Sequence, residues 1–490
     1  MLVQELIKQG EKDTIAVIDG EKRITYGELE SMVKKYQSYF YRCGIRAGEN
    51  VGLLSRNSVE YIYCYMAVVS LGAVVVPINF QLSEREIAYI VKDAEMNFFI
   101  TNQSVDLNQA LANQAYNKNL TLLRISDIVC AVKEQDAATD EFLQRVTMTD
   151  QDTCVIIYTS GTTGNPKGAV LSHRNLTSNA KMFKEALNIC SHDNILCVLP
   201  MYHCFAWTCA VLNPLLTGAT ITIIETFAPK ETLEVIKTER ISILYLVPSI
   251  CSLFTRLADV NDLSTVRFIV VGGTTLPLKI AEDFTTKFGI ELLEGYGLSE
   301  ASPVVAVNRP GKVKGGSIGL ALPGVRVAIV NEQGEKMPMG QVGELIVQGE
   351  NVMKAYFHLP KESERVLSDG WLHTGDMAYQ DEDGYIFVVD RLKDMIISNG
   401  ENIYPREIEE VLYMYPGIIE AAVVGVADKL RGQAGAAFIV MEEGKSLQKK
   451  ALKEYLQANL ALYKIPREFH VVDVLPKSQT GKILKRLLVE

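Results

Sequence analysis

The sequence predicts an α/β protein with parallel sheets and a smaller α+β unit at its C-terminal end. Between residues 155 and 271, short β-branched runs alternate with helical patterns, which is typical of parallel sheets joined by crossover helices. From about 317 to 390, Gly, Asn, Asp and Pro separate the strand-like runs, which favours an antiparallel β region. After residue 394, helical stretches flank apolar runs, which indicates a compact α+β unit.

The individual elements follow this division. In the alternating region we expect strands at 155–158, 195–199, 220–224, 243–247 and 268–271, and helices at 175–187 and 229–239. In the later regions we expect strands at 325–330, 343–347 and 385–389, then helices at 405–414 and 447–460 around apolar runs at 421–426 and 436–440. Residues 107–150 show the weakest pattern and are expected to form a surface excursion.

One uncharged stretch, residues 61–76, could be either a membrane span or a buried element. A spanning helix needs about 20 predominantly apolar residues. This stretch contains Ser70 and Gly72 and ends at Pro77, and its last four residues are typical of a short buried strand. We therefore predict a buried helix followed by a strand.

Composition narrows the class of protein. The chain has 490 residues, 48% of them apolar and 22% charged, which is ordinary for a folded globular protein and argues against disorder. Its net charge of −10 argues against a broad basic surface for nucleic acid. The nine cysteines form no Cys-x-x-Cys pair and the last is Cys251, so we expect a reducing, cytoplasmic location and no structural zinc. The first ten residues do not look like a secretory signal.

The strongest motif is the run YTSGTTGNPKG at residues 158–168. Such a loop can surround phosphate oxygens with backbone N–H groups and hydroxyls, and Lys167 adds a cation. The spacing does not match a Walker A loop, and taken alone the run could be a polar surface loop. It resembles the signature loop of the acyl-adenylate-forming enzymes, which include acyl-CoA synthetases, luciferases and peptide-synthetase adenylation domains. The resemblance gives as candidate ATP ligands Thr159, Ser160, Gly161, Thr162, Thr163, Gly164 and Lys167.

Further motifs of that family follow in the family's order. Gly272 and Gly273, with Thr274 where relatives usually have Ala, resemble the turn that lies against adenine, where a missing side chain allows close approach. The run YGLSE at residues 296–300 is similar to the next family motif. By resemblance, Tyr296 stacks on adenine, Glu300 holds Mg²⁺ as catalytic and metal residue, and the nucleotide site also includes Gly297 and Ser299.

The remaining motifs lie toward the C-terminal end. In WLHTGD at 371–376, the resemblance implies that Asp376 accepts hydrogen bonds from the ribose hydroxyls. In DRLKD at 390–394, Arg391 matches a residue that contacts ribose or phosphate, and Lys393 matches the hinge pivot. Gly400 matches the loop beside the thiol acceptor, with Asn399 where many relatives have Gly. Lys482, in PKSQTGK at 476–482, matches the catalytic lysine of adenylation.

The sequence around the predicted acid-binding pocket is less specific than the nucleotide motifs. His203, in LPMYH at 199–203, resembles the histidine beside the activated carboxylate, and Trp207 has the spacing of a residue that gates the acyl tunnel in some long-chain enzymes. A lone His or Trp in an apolar context is more often a core residue. Gly295 and Ala301 border the acyl pocket by the same resemblance. No cation is evident that would pair with a second carboxylate, and the local sequence resembles bacterial long-chain fatty acid–CoA ligases.

The resemblance implies a large N-terminal domain at 1–389, made of two parallel αβ subdomains and a β subdomain, a hinge at 390–393 and a small mobile domain at 394–490. It implies a medium-chain or long-chain fatty acid–CoA ligase that uses ATP, Mg²⁺ and CoA and makes acyl-CoA, AMP and pyrophosphate through an acyl-adenylate. A carrier-protein-loading ligase and a non-catalytic acyl- or nucleotide-binding regulator stay as alternatives. No nucleic-acid partner is expected. Peripheral membrane contact is left open, as is the choice between monomer and homodimer.

Overall fold

The structure is a computed structural model. It describes residues 1–116, 118–133, 147–159, 165–398, 401–428, 431–477 and 482–489, and every structural statement below concerns these residues.

The largest sheet carries most of the predicted alternating strands. Its central strands are parallel, and antiparallel strands lie at both edges. The strands predicted near 195, 220, 243 and 268 are confirmed here. In spatial order the strands are Leu320–Ala321, Val304–Val307, Leu292–Gly297, Phe268–Val271, Ile243–Leu246, Asn194–Cys197, Thr220–Ile223, Ile15–Asp19 and Lys22–Thr25.

A second, mainly parallel sheet contains the strand predicted at 155–158. Its order is Ala355–Tyr356, Lys167–Ser172, Thr153–Thr159, Val74–Pro77, Asn50–Leu54, Phe98–Thr101 and Thr121–Arg124. The prediction that 107–150 is a surface excursion is wrong for its described middle part. Strand Thr121–Arg124 pairs with Phe98–Thr101, and helix Ile125–Lys133 buries Ile128 and Val132.

The uncharged stretch is confirmed as a buried helix and strand. Helix Val59–Ser70 begins where the Ser58 side chain accepts a hydrogen bond from the backbone N–H of Tyr61, a standard N-cap. Every residue from Val59 to Val69 except Glu60 is buried, so the apolar surface of this helix is covered by protein. None of the described helices is both long and apolar enough to cross a membrane.

The other helices connect or cover the sheets. Capping explains where several begin: Ser172 and Asn175 form a reciprocal capping pair at the start of His173–Leu187, and proline occupies the first position of four helices. The longer helices are Tyr26–Arg42, Glu84–Asp93, His173–Leu187, Pro229–Thr238, Pro248–Leu257 and Leu278–Phe288. The shorter ones are Val3–Gln9, Asn108–Asn113, Cys204–Ala206, Trp207–Leu212, Asn213–Thr217, Val260–Leu263, Ser299–Ala301 and Pro360–Val366.

The predicted antiparallel region forms a separate sheet. Its strands are Arg326–Val330, Gly343–Gln348, Trp371–Gln380, Leu367–Ser368 and Ile386–Arg391. All of its pairings are antiparallel, as the turn-rich sequence predicts. The long strand Trp371–Gln380 runs through the middle of this sheet, and its neighbour ends at Arg391, where the C-terminal unit begins.

The C-terminal unit has its own sheet and its own core. Its strands are Glu401–Ile403, Ile396–Ser398, Gly432–Met441, Ile418–Asp428 and Glu468–Val471. Helices Pro405–Tyr413 and Lys449–Asn459 contribute buried Ile408, Leu412, Leu452 and Leu456 to a core separate from that of the larger sheets. Short helices Leu462–Lys464 and Lys485–Leu488 complete it. The predicted α+β unit is confirmed.

Candidate active site

A cleft of about 1940 Å³ lies where the large sheet, the antiparallel sheet and the C-terminal unit meet. Strands Phe268–Val271 and Leu292–Gly297 end at this cleft, as expected for ligand sites at the carboxyl ends of parallel strands. Of the predicted site residues that the structure describes, nearly all line it: Thr159, Lys167, His203, Gly272, Gly273, Thr274, Gly295, Tyr296, Gly297, Ser299, Glu300, Asp376, Arg391, Lys393 and Lys482. Ser160, Gly161, Thr162, Thr163, Gly164 and Gly400 lie outside the described residues.

The two glycines of the turn predicted to lie against adenine stand where a side chain would be crowded or strained. A Cβ added to Gly272 would meet Phe205 Cζ at 3.3 Å and the carbonyl oxygen of Gly295 at 3.4 Å. Gly273 has φ of +83°, a conformation that residues with a Cβ rarely adopt. The turn therefore presents bare backbone to the cleft, which suits close approach of a flat ring.

Three predicted nucleotide residues form one chain of contacts. The Tyr296 hydroxyl donates to Asp376 Oδ2, and Arg391 Nε lies 3.2 Å from Asp376 Oδ1. The backbone N–H of Asp376 donates to Thr374 Oγ1 at 3.1 Å, which fixes the strand locally. Burial raises the pKa of the Tyr296 hydroxyl well above its ordinary value, so it remains a donor. Asp376 is thus held in place as a buried acceptor in the wall of the cleft.

Glu300 has a hydrogen-bond partner that the sequence did not reveal. Its Oε1 accepts a hydrogen bond from the Tyr356 hydroxyl at 2.7 Å, and its backbone carbonyl accepts one from Met353. Among the described residues no three His, Cys, Asp or Glu side chains form a ready-made metal site. A single carboxylate nevertheless fits Mg²⁺, which proteins usually bind through one or two carboxylates together with substrate phosphates.

Lys167 follows the signature loop on the strand Lys167–Ser172. This strand pairs with Thr153–Thr159 in an antiparallel arrangement that brings Lys167 opposite Thr159. Lys167 Nζ forms an ion pair with Glu362 at 2.5 Å and lies 5.4 Å from the centre of the Tyr356 ring. Both the lysine and the carboxylate are partly exposed, so an incoming phosphate can compete with Glu362 for this cation.

Lys482 and His203 share the part of the cleft predicted for the reacting carboxylate. Burial, then the charges of Arg391 and Lys393, lower the pKa of Lys482 to about 8, which leaves it mostly cationic at neutral pH. Burial and then the charge of Lys482 lower the pKa of His203 to about 4, so its ring is neutral. His203 Nδ1 accepts a hydrogen bond from the backbone N–H of Phe205 at 3.3 Å, so the ring proton is on Nε2. A cation and an N–H donor are therefore available to a carboxylate.

The structure does not bring two predicted acyl-pocket residues to the cleft. Trp207 is 4% exposed and packs on Tyr65, with ring centres 4.1 Å apart, and lines a small cavity of about 10 Å³ that shares Tyr202 and Cys204 with the lining of the cleft. Ala301 is fully buried, and its carbonyl accepts a hydrogen bond from Asn351. A lone tryptophan in an apolar run is more often a core residue, and Trp207 does lie in the core. Its gating role stays a prediction.

Other cleft residues had no role assigned from the sequence. Apolar side chains surround the described part of the cleft beside His203 and Gly295, and we call this region the apolar end: Phe183, Phe205, Val270 and Val304. Phe205 could have been found from its position two residues after His203. Val304 could have been found from its position three residues after Ala301, whereas Phe183 could not, because its helix is distant in sequence from the predicted acyl-pocket residues.

Comparison with known proteins identifies the family. The family description "AMP-binding enzyme" matches residues 4–357, and "AMP-binding enzyme C-terminal domain" matches residues 407–482. The chain belongs to the AMP-binding enzyme family. The predicted superfamily is therefore confirmed, with its mixed α/β fold and its smaller C-terminal domain.

Relatives in this family agree along nearly the full chain. Feruloyl-CoA synthase from Amycolatopsis sp is 37% identical over 96% of this chain and 94% of its own length. The long-chain-fatty-acid–CoA ligase of Bacillus subtilis is 31% identical over 98% of this chain and 92% of its own length. ATP-bound MatB from Rhodopseudomonas palustris superposes with a TM-score of 0.92 at 27% identity, covering 100% of this chain and 98% of that one.

These similarities support the predicted class of enzyme but not the identity of the acid. MenE from Bacillus subtilis, an o-succinylbenzoate coenzyme A synthetase with ATP and magnesium ion bound, superposes with a TM-score of 0.87 at 28% identity, covering 99% and 98% of the two chains. The predicted requirement for ATP, Mg²⁺ and CoA is confirmed, and so is the class of activity, an acid–CoA ligase that acts through an adenylate. The relatives include both fatty and aromatic acid ligases, so the acid itself is not decided by them.

Proposed function

We propose that this protein activates a fatty acid with ATP and transfers it to CoA. The observation that carries this proposal is the apolar end of the cleft, next to His203, Gly295 and Lys482. Its described side chains, Phe183, Phe205, Val270 and Val304, carry no charge. An apolar monocarboxylic acid can bury its tail there and leave its carboxylate beside Lys482 and His203, because burial of uncharged surface is favourable.

The first half-reaction needs positioning and charge stabilisation. A carboxylate oxygen attacks the α-phosphorus of ATP, the bond to pyrophosphate breaks, and the acyl-adenylate remains. Lys482, as a cation, stabilises the negative charge that develops between carboxylate and α-phosphate, and His203 orients the carboxylate through its Nε2–H. Glu300 would hold Mg²⁺, which neutralises phosphate charge when bound, while Asp376 and Arg391 hold the ribose.

The second half-reaction needs a change at the same carbonyl carbon. The CoA sulfur forms a bond to that carbon, and AMP leaves with the electron pair of the broken bond. Lys482 occupies the cleft in this structure, so we expect the C-terminal domain at 394–490 to rotate on the 390–393 hinge, with Lys393 as pivot. The loop that contains Gly400 would then approach the carbonyl.

A second candidate substrate is an aromatic acid. The Tyr245 ring lies 5.9 Å from the centre of the Phe205 ring and 5.9 Å from that of Phe183, so aromatic surfaces gather at the apolar end. Aromatic rings pack favourably in tilted and edge-to-face arrangements. The similarity to feruloyl-CoA synthase favours the same candidate.

One substrate panel tests both candidates. We would measure thioester formation with free CoA for saturated acids from acetate to palmitate, for benzoate and for ferulate, while recording pyrophosphate release. A maximum among the longer saturated acids supports the fatty acid proposal, and a maximum at ferulate or benzoate replaces it with the aromatic one. Pyrophosphate release without a CoA thioester would indicate a carrier-loading ligase. Absence of both products would indicate a regulator.

A further inference from the structure

A buried arginine joins the C-terminal unit to the rest of the protein. Arg406 lies at the start of helix Pro405–Tyr413, and its side chain is only 11% exposed. Its guanidinium donates to the backbone carbonyl of Val388, and its backbone N–H donates to Asp390 Oδ2 at 2.9 Å. Both partners belong to the strand that leads into the hinge, so this residue contacts the polypeptide on the other side of the predicted pivot.

Carboxylates from both sides surround the same guanidinium. Glu294 is on the strand that also carries Tyr296, and its Oε1 lies 3.7 Å from Arg406 Nη2 and accepts a hydrogen bond from the backbone N–H of Leu276. Glu410, one helical turn after Arg406, lies 4.0 Å from its Nε and accepts a hydrogen bond from the backbone N–H of Leu278. The C-terminal unit and the rest of the protein are therefore joined twice here, by Glu294 with Arg406 and by Glu410 with the backbone of Leu278.

The ionised state of Glu294 depends on the presence of Arg406. Burial raises the pKa of Glu294 to about 7, and the charge of Arg406 is the main influence that opposes this rise. Without Arg406 the effect of burial is unopposed, so Glu294 must either take up a proton or remain as an uncompensated buried charge, and both are unfavourable relative to the ion pair. Glu294 thus favours positions of the C-terminal unit that keep Arg406 beside it.

The same helix also fixes the segment that carries Lys482. Lys485, three residues after Lys482, forms an ion pair with Glu409 at 2.8 Å, and Glu409 lies three residues after Arg406. Glu409 also accepts a hydrogen bond from the backbone N–H of Val423, within the C-terminal unit. Helix Pro405–Tyr413 therefore links the Arg406 contact to the position of Lys482 in the cleft.

We propose that Arg406 is a positioning residue that, through Glu294 and the Val388 carbonyl, holds the C-terminal unit where Lys482 enters the cleft. This inference rests on the proposed two-step function. Arg406 contacts no reacting atom by this assignment. It favours the adenylate-forming arrangement, and its contacts must break before CoA can react.

The kinetic test separates the two half-reactions in Arg406→Met. Acyl-AMP formation is followed by ATP–pyrophosphate exchange with dodecanoate and with ferulate, and transfer is followed with the pre-made acyl-AMP and CoA. We expect exchange to fall at least tenfold while transfer changes less than threefold. Arg406→Lys should recover part of the exchange rate. Equal losses in both half-reactions, or no loss in either, would overturn the proposal.

Two further variants guard against a simple folding defect. Arg406→Met with Glu294→Gln removes the uncompensated carboxylate, so this double variant should unfold at a temperature close to wild type but still lose exchange. Recovery of exchange in the double variant would contradict the proposal. Lys445→Met is the matched control, because Lys445 pairs with Glu442 inside the C-terminal unit and is half exposed. It should behave as wild type in both half-reactions.

A substrate-free measurement distinguishes failure of this inference from failure of the proposed function. Arg391 and Lys393 make the hinge itself cleavable by trypsin. Without the Arg406 contact, the hinge should be cut several times faster in Arg406→Met than in wild type or Lys445→Met. An unchanged cleavage rate overturns the positioning role even if the enzyme proves inactive with every acid in the panel.

Discussion

Lys482 is the residue whose environment most directly predicts a kinetic property. Because burial, then the charges of Arg391 and Lys393, lower the pKa of Lys482 to about 8, this lysine loses its proton well below the usual range. The stabilising cation is present below that pH and is lost as the pH rises through it. We expect kcat/KM for adenylation to be flat from pH 6.5 to 7.5 and to fall tenfold per unit above about 8. Lys482→Arg should remove this fall, and a wild-type profile flat to pH 10 would contradict the assignment.

Removal of the Lys482 side chain tests its role more simply. Lys482→Ala should reduce acyl-AMP formation by about 10²–10³-fold, the usual effect of losing one group that stabilises developing charge. Thioester formation from pre-made acyl-AMP should stay within a few-fold of wild type, because the proposed second step does not use this lysine. Stopped-flow assays of the separate half-reactions give both rates. Equal loss in both would refute the role.

Tyr356 is a residue that the sequence did not reveal. It is 56 residues from Glu300, yet its hydroxyl donates to that carboxylate. Removing this donor in Tyr356→Phe leaves the ring beside Lys167 but frees the carboxylate to rotate. We expect the Mg²⁺ concentration for half-maximal adenylation to rise several-fold with a smaller change in kcat, and a titration with Mg²⁺ at fixed ATP checks this. Unchanged Mg²⁺ dependence would show that Glu300 needs no such support.

At the scale of elements, patterns of apolar residues predicted the buried strands but missed a strand at a sheet edge. The strand Phe268–Val271 is fully buried, and its sequence boundaries match the structure. Strand Thr121–Arg124 lies at a sheet edge with partly and fully exposed side chains, so its sequence lacks the apolar signal of a buried strand. The motif residues Gly272 and Tyr296 come together because Gly272 follows the strand Phe268–Val271 and Tyr296 lies near the end of the adjacent parallel strand Leu292–Gly297. Contacts such as Lys167 with Glu362, 195 residues apart, depend on tertiary structure and had no local signal.

The short π-helix Trp207–Leu212 gives a prediction about stability. Trp207 is buried against Tyr65 and Tyr61, with ring centres 4.1 and 5.5 Å away. Its truncation in Trp207→Ala should lower the free energy of unfolding by about 3–5 kcal/mol, as for other large-to-small aromatic substitutions in cores. Urea unfolding measures this. Trp207→Phe should lose less and keep the wild-type chain-length preference, whereas a shifted preference without lost stability would favour a gate over a core residue.

At the scale of the whole molecule, two units with separate cores meet at one cleft. The hinge residues Asp390 and Arg391 contact both units: the Asp390 side chain accepts from Arg406, and Arg391 contacts Asp376. Residue patterns predicted these two regions and their order, and the family motifs predicted the hinge between them. The sequence did not predict the buried Arg406–Glu294 contact, because no role was assigned to either residue and they are far apart in sequence. The rotation itself stays a prediction, and the hinge is where it can be tested.

Lys393→Pro tests rotation because proline fixes φ and removes a backbone N–H without altering the cleft side chains other than Lys393 itself. The backbone N–H of Leu392 donates to the carbonyl of Gly375 and holds the hinge in its present arrangement, and this bond does not involve the nitrogen that proline alters. We expect adenylation to stay within about threefold of wild type and acyl transfer from pre-made acyl-AMP to fall more than tenfold, since a single missing orientation can cost that much. Lys393→Ala separates the side chain from the backbone and should transfer almost normally. If single-turnover thioester formation is unchanged in Lys393→Pro, both half-reactions occur without rotation at this residue, and Arg406 then has no second arrangement to oppose.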